Sequence, residues 1–210
     1  MRTNIYVDGF NLYYCALKGT PYKWLNIKAL VEYIFPRNAV NRIRYFTALV
    51  KPPPWDPQKP QRQQVYIRAL KTLPNLSVHL GQFRSHSREM PLAGSQHVHP
   101  QMVQVLYTEE KGSDVNLATY LLLDGFRRDF DAAIVISNDS DLVEPIKVVR
   151  CELGLPMGVL CPQANTQQIA RALRQVASFY RPVTRSALRA GQFPQTLTDC
   201  HGTFHRPNTW

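Results

Sequence analysis

Apolar positions in this chain fall into two kinds of pattern, and the patterns alternate. Asn4 to Val7 and Met157 to Leu160 read as strands, and Ala132 to Ile136 is an apolar, β-branched run short enough to be a buried strand of a parallel sheet. Ile43 to Val50, Leu76 to Leu80 and Met102 to Tyr107 alternate as half-buried strands do. Between them lie segments with helical spacing. Leu12 to Leu17 is one, and Asn26 to Phe35 places Ile27, Leu30, Val31 and Ile34 on one stripe before Pro36 ends it. Gln61 to Leu73 is a third, closed by Pro74. A fourth starts at Ser113, a candidate N-cap, with Val115, Ala118 and Leu122 on its buried face. Further helices run from Asp141 through Arg150 and from Gln167 to Ser178. Strand-helix alternation of this kind predicts an α/β fold: a three-layer α/β/α sandwich with a mainly parallel central sheet, Met157 to Leu160 being its last central strand.

The breaks are equally readable. Lys51 to Pro57 carries four prolines and cannot continue a ladder, so it is a surface loop with Trp55 at its tip. Gly81 to Pro100 is the least regular segment, and a basic loop closing over a polyanion is one reading of it. No internal repeat or second domain is visible. Residues 1–190 form the predicted domain, and 191–210 a basic, Pro-containing tail expected to be poorly ordered.

A chain of 210 residues can bury roughly 70% of the surface its unfolded form exposes, so no disulfide framework is needed. Cys15, Cys151, Cys161 and Cys200 show neither a CxxC pair nor zinc spacing. No apolar run approaches the roughly 18 residues that span a bilayer, and the start lacks a signal-peptide core; a cytoplasmic, membrane-free protein is expected. Charge changes the picture more. The formal net charge is +10, with 25 Lys and Arg against 15 Asp and Glu. A cationic surface raises encounter rates with phosphates, and Arg84, Arg88, Arg171 and Arg174 are candidates to track a phosphate backbone.

Against that background the acids are concentrated. Asp8 follows the first strand, Asp139 and Asp141 follow Ile136, and Asp114 opens a helix. Residues just past the carboxyl ends of strands in an open α/β sheet face the crevice where ligands bind, so all four are candidates for one site. Clustered carboxylates repel at low dielectric and persist only if protons or cations neutralise them; oxygen-only ligands favour Mg²⁺ or Mn²⁺. The competing reading makes Asp141 an N-cap, in the capping-box spacing Asp141-x-x-Glu144, and Asp114 a first-turn acid on a helix dipole. Asn11 and Ser137 are placed to position water or phosphate, and Glu110 to act as a further acceptor. Lys111 either neutralises the acids or meets the phosphate. His97-x-His99 has no further ligands near it in sequence and reads as exposed loop.

Three stretches carry a family likeness. Asp8-Gly9-Phe10-Asn11-Leu12, Glu110-Lys111-Gly112-Ser113-Asp114-Val115-Asn116-Leu117-Ala118 and Ser137-Asn138-Asp139-Ser140-Asp141-Leu142 resemble, in order, the signature blocks of the NYN domain family, LabA-like members of the PIN-like nuclease superfamily. Leu188 to Pro194 is similar to that family's C-terminal close. The resemblance implies a PIN-like sandwich of Rossmann-like topology. It also implies a Mg²⁺- or Mn²⁺-dependent ribonuclease in which Asp8, Asp114, Asp139 and Asp141 hold the metal. Single-stranded or looped RNA is the expected partner, since a crevice at strand ends admits one flexible strand more readily than an A-form duplex. Two alternatives stay open: an RNA-binding module without turnover, and another metal-dependent phosphohydrolase acting on small substrates.

Overall fold

A computed structural model describes residues 1–94, 100–163 and 170–209. Its centre is β1 (Arg2–Asp8), buried at every residue after the first. Parallel partners flank it on both sides, β2 (Ala39–Thr47) and β6 (Ala132–Ile136). β3 (Leu76–Leu80) extends the sheet beyond β2, and β7 (Met157–Cys161) followed by β8 (Phe179–Pro182) extends it beyond β6. The order is β3-β2-β1-β6-β7-β8, with every pairing parallel.

Period-two alternation sorts each strand's side chains to two faces, and each face is covered by helices. Ile5, Val7, Ile43, Tyr45, Ile134 and Ile136 pack under α2 (Ile27–Ile34), α3 (Lys59–Lys71) and α7 (Arg185–Ala190). Tyr6, Phe46, Val135 and Val159 pack under α4 (Ser113–Phe126), α5 (Val143–Lys147) and α6 (Arg171–Val176). The three-layer α/β/α sandwich is therefore present. Among the described residues no helix is long and apolar enough to cross a membrane.

Three expectations need correction. Most of the described part of the segment 81–100 is regular: β4 (Gln82–Pro91) pairs antiparallel with β5 (Met102–Lys111) in a long two-stranded ribbon. All but one residue of β4 is exposed, so no buried face left a hydrophobic signature in its sequence. His97 and His99 lie outside the described residues. Second, Met157–Cys161 is not the last strand, because β8 joins it; Gly158 has no side chain where the Phe179 ring crosses, at 2.2 Å from where a Cβ would sit. Third, the segment expected to be poorly ordered forms a hairpin, β9 (Thr196–Asp199) with β10 (Gly202–His205). It is tied to the body by Arg68, which donates to both Asp199 oxygens at 2.8 and 2.7 Å and lies 4.1 Å from the centroid of the buried Phe204 ring. The helix expected over Gln167–Ser178 is seen as α6; residues 164–169 lie outside the described residues.

Candidate metal centre

β1 carries Asp8 to the carboxyl edge of the sheet and ends there. Asp8 is 5% exposed and caps α1 (Gly9–Leu12): its Oδ1 accepts from the Asn11 amide at 2.9 Å, its Oδ2 from the Ser137 hydroxyl at 2.8 Å. The turn needs Gly9, because a Cβ there would lie 2.7 Å from both the Phe46 carbonyl oxygen and the Tyr45 ring. The helix then widens to a π-helical turn, Tyr13–Leu17.

The neighbouring strand β6 delivers the second acid. Its last residue precedes Ser137, fully buried, whose Oγ accepts from the Asp139 amide at 3.0 Å while donating to Asp8. Asn138 fastens three segments together. Its amide donates to Asn11 Oδ1 at 2.9 Å, and its own Oδ1 accepts from the Ala170 amide at 2.9 Å and from the Cys161 thiol at 3.4 Å. Asp139, not Asp141, is the cap of the short 3-10 turn Ser140–Leu142 that follows, and its Oδ1 accepts from the Asp141 amide at 3.0 Å. The capping-box reading of Asp141 and Glu144 is thereby overturned: α5 has no side-chain cap, since the 3-10 turn has already bent the chain.

The third acid comes from α4. Gly112, with φ of 101°, turns the chain out of β5 and is the N-cap residue expected at Ser113. Ser113 instead donates through its amide and hydroxyl to Glu110 Oε1, at 3.2 and 2.9 Å. This leaves Asp114 in the first turn, its carboxylate making no hydrogen bond among the described residues.

Asp8, Asp114 and Asp139 converge, each offering one oxygen within 4.8 Å of the others. Asp141 falls outside this group and is exposed. None of the three is in an ion pair among the described residues. Burial raises the Asp8 carboxyl above its ordinary range, and the nearby Asp139 charge adds to this against the hydrogen bonds from Asn11 and Ser137. Asp114 is pushed up to about 6, by burial first and then by Asp8, Asp139, Glu110 and Asp141. Oxygen donors around one ion at bond lengths of about 2.1–2.4 Å are at most about 4–5 Å apart, so the three acids fit a hard divalent cation. They border an open cavity of about 370 Å³, one wall of which is Phe83 and Glu110 at the base of the β4–β5 ribbon.

The other predicted residues are more spread out. Asn11 and Ser137 face the acids and hold them. Lys111 is exposed and pairs with Glu109 at 3.1 Å. Arg84 and Arg88 stand on the ribbon, Arg88 with its guanidinium 5.8 Å from the Tyr107 ring centroid. Arg171 and Arg174 are exposed on α6, whose start is hung from Asn138. Sequence reasoning missed Asn138, Phe10 and Phe83; Asn138 lies inside the Ser-Asn-Asp block, which was the available signal.

Comparison with known proteins follows the same outline. The sequence model of the NYN domain matches residues 2–183. The chain is 28% identical, over 236 aligned positions covering 100% of it and 75% of the relative, to 6-hydroxy-3-succinoylpyridine 3-monooxygenase HspA of Pseudomonas putida. A crystal structure of a Vibrio parahaemolyticus protein of unknown function superposes with a TM-score of 0.55 at 16% identity, covering 88% of this chain and 93% of that one. At that identity the likeness shows the fold alone.

Proposed function

The chain belongs to the NYN domain family, and from that membership together with the acidic cluster we propose that it is a metal-dependent ribonuclease cutting single-stranded or looped RNA. The observation that carries this reading is the convergence of Asp8, Asp114 and Asp139 from three separate elements without a counter-cation among the described residues. These three would hold Mg²⁺ or Mn²⁺, with Asp141 and Glu110 adding negative charge around them. When bound, such an ion neutralises charge on phosphate oxygens and acidifies water for in-line attack on phosphorus.

The chain's own residues do the positioning. Ser137 holds Asp8 by its hydroxyl and Asp139 by its backbone amide, so the two strand-end carboxylates are fixed by one buried side chain. Asn11 and Asn138 lock the turns that carry them. Arg84 and Arg88 on the ribbon and Arg171 and Arg174 on α6 present cations to the backbone of a strand entering the cavity, and Lys111, paired with Glu109, follows Glu110, which lines it. The test is incubation of purified protein with mixed RNA in Mn²⁺, in EDTA and with Asp139→Asn. Cleavage in Mn²⁺ alone supports the reading; RNA binding that survives EDTA with no cleavage replaces it with a binding module.

A second reading rests on the match to the pyridine monooxygenase, which covers all of this chain and 75% of that relative. On this reading the cavity takes a small hydroxylated pyridine acid, and oxygen uptake with 6-hydroxy-3-succinoylpyridine and a reductant, absent with RNA, identifies it.

A further inference from the structure

One wall of the acidic cavity is aromatic, and nothing in the proposed chemistry uses it. Phe10, Tyr14 and Phe83 border the cavity together with Asp8, Asp114 and Asp139. Phe10 and Tyr14 stand one turn apart on the segment that leaves Asp8, where α1 runs into the π-helical turn. Phe83 comes from β4, directly opposite Glu110 of β5, so the two share the ribbon face that borders the cavity. The Phe83 and Phe10 rings meet edge to face, with centroids 5.5 Å apart at 75°. That contact seats the base of the ribbon on the body and accounts for two of the three rings. It does not account for Tyr14. This side chain is 52% exposed, touches Tyr13 edge-on with centroids 5.2 Å apart, and has the Lys18 ammonium 5.1 Å from its own centroid. Lys18 is exposed and in no ion pair among the described residues. A large ring held half in water at the rim of a polar cavity, with a cation beside it, leaves apolar area that a flat, anionic ligand would cover.

We infer that Phe10, Tyr14 and Phe83 form a stacking wall for the nucleobase next to the phosphate that meets Asp8, Asp114 and Asp139. The inference rests on the ribonuclease reading above and names the feature of RNA that the site selects. Carboxylates and rings bordering one cavity match the two ends of a nucleotide, its phosphate going to an ion held by the acids and its base to the rings. The cavity, at about 370 Å³, is more than twice the roughly 150 Å³ that holds a benzene ring, so one base fits with room left for the phosphate. A base stacked on an aromatic ring is worth more than an exposed cation contact, so a base can replace Lys18 on Tyr14 and leave the ammonium for the adjoining phosphate. Every base has a π-face, and the wall therefore does not choose among the four. What it selects is an unpaired base. In an A-form duplex each base is stacked between its neighbours, and only a splayed-out base can lie against a protein ring. The expected preference for single-stranded or looped RNA then has its source in this wall.

The probes are a short dye-labelled RNA strand of mixed sequence, the same strand with abasic ribose throughout, the duplex of that sequence, and 6-hydroxynicotinate. Each is titrated into the full chain in EDTA, with anisotropy of the dye as the readout for the strands and tyrosine fluorescence for the small acid. The intact single strand is expected to bind at least about fivefold more tightly than the abasic one. Tyr14→Leu, which keeps apolar bulk and removes the ring, should weaken the intact strand about three- to tenfold and leave the abasic strand and the duplex unchanged; Tyr14→Phe, which keeps the ring, should bind like the parent. Equal binding of intact and abasic strands, a Tyr14→Leu effect that is absent or alike on all three, or a Tyr14→Phe as weak as Tyr14→Leu would each overturn the wall. So would 6-hydroxynicotinate binding that Tyr14→Leu abolishes while no strand binds, which assigns the rings to a small heteroaromatic acid. If strands and variants behave as expected but Mn²⁺ produces no cleavage, the wall stands and the ribonuclease reading alone falls. If mixed RNA is cut in Mn²⁺ while the abasic strand binds as well as the intact one, the wall falls and the ribonuclease reading stands.

Discussion

The molecule buries carboxylates in two places and treats them in opposite ways. On one face of the sheet, Asp124 of α4 is almost wholly enclosed and fully matched: Arg44 donates to both its oxygens at 2.7 and 2.8 Å, and the Tyr6 hydroxyl donates at 2.7 Å. Arg44 in turn lies 4.4 Å from the centroid of the Tyr120 ring. At the carboxyl edge of the same strands, Asp8, Asp114 and Asp139 meet with no cation against them among the described residues. A charge matched by its own chain is part of the scaffold. Charges matched only by each other leave a free-energy gap that an ion from solution can close, and that distinguishes a site from a structural ion pair.

The largest expected effect is on the matched side. Arg44→Ala strands Asp124 without a counter-ion and should cost about 3–5 kcal/mol in urea unfolding, while the double change with Asp124→Ala should recover part of that loss. A cost below about 1 kcal/mol for the single change would erase the contrast. On the unmatched side the sign reverses. Asp139→Asn should leave the metal-free melting temperature unchanged or raised, because it relieves repulsion while an Asn side chain still caps the turn. The same variant should lose the stabilisation that Mn²⁺ gives the parent protein, about 2.7 kcal/mol at a hundred times Kd. A clear drop in metal-free melting temperature would move Asp139 to the structural side.

Acid titration separates the two kinds of carboxylate by sign. Asp114, raised to about 6 from an ordinary value of 3.8, is charged in both folded and unfolded chains above that pH, so its folding penalty is then fully present. Between pH 6 and 4 only the unfolded chain stays charged, and the metal-free protein should gain stability as the pH falls. Because the side chain is half-exposed, the gain is discounted to on the order of 1 kcal/mol, and Asp114→Asn should remove it. Asp129 behaves oppositely: burial works to raise it, but hydrogen bonds from Asn4 and Arg42 hold it below its ordinary range. Its contribution is present above about pH 4 and is lost as the pH falls further. Chemical denaturation at pH 7, 5 and 3 in EDTA should therefore show a maximum near 5, and a monotonic fall from 7 would place Asp114 with the matched acids. The smallest effect concerns the ribbon. Replacing Arg84 and Arg88 together by Ala should reduce the salt dependence of RNA binding by roughly one to one and a half, at about 0.7 per phosphate contact on single strands. An unchanged slope would assign both arginines to ordinary solvated surface.

How much of this was readable in advance depends on whether local sequence carries the cause. β3 and β6 lie where the sequence places them, Leu76–Leu80 and Ala132–Ile136, because half-buried and doubly buried strands leave alternating and continuous apolar runs. The same logic places Asp8 and Asp139 at strand ends, hence at one edge of the sheet. Local pattern could not separate Asp139 from Asp141, two positions apart; the Ser137 hydroxyl and the 3-10 turn point one inward and leave the other in solvent. Nor could it find the ribbon, whose exposed β4 never meets a core, or the tail hairpin, held by Arg68 from 131 residues away. The pairing of Arg44 with Asp124, 80 residues apart, is of the same kind. The sequence by itself determined the layers and the strand ends from which two of the acids project, because burial periodicity is local. Which acids meet and which are neutralised within the chain were decided by the tertiary structure, because those depend on contacts between segments that share no local pattern.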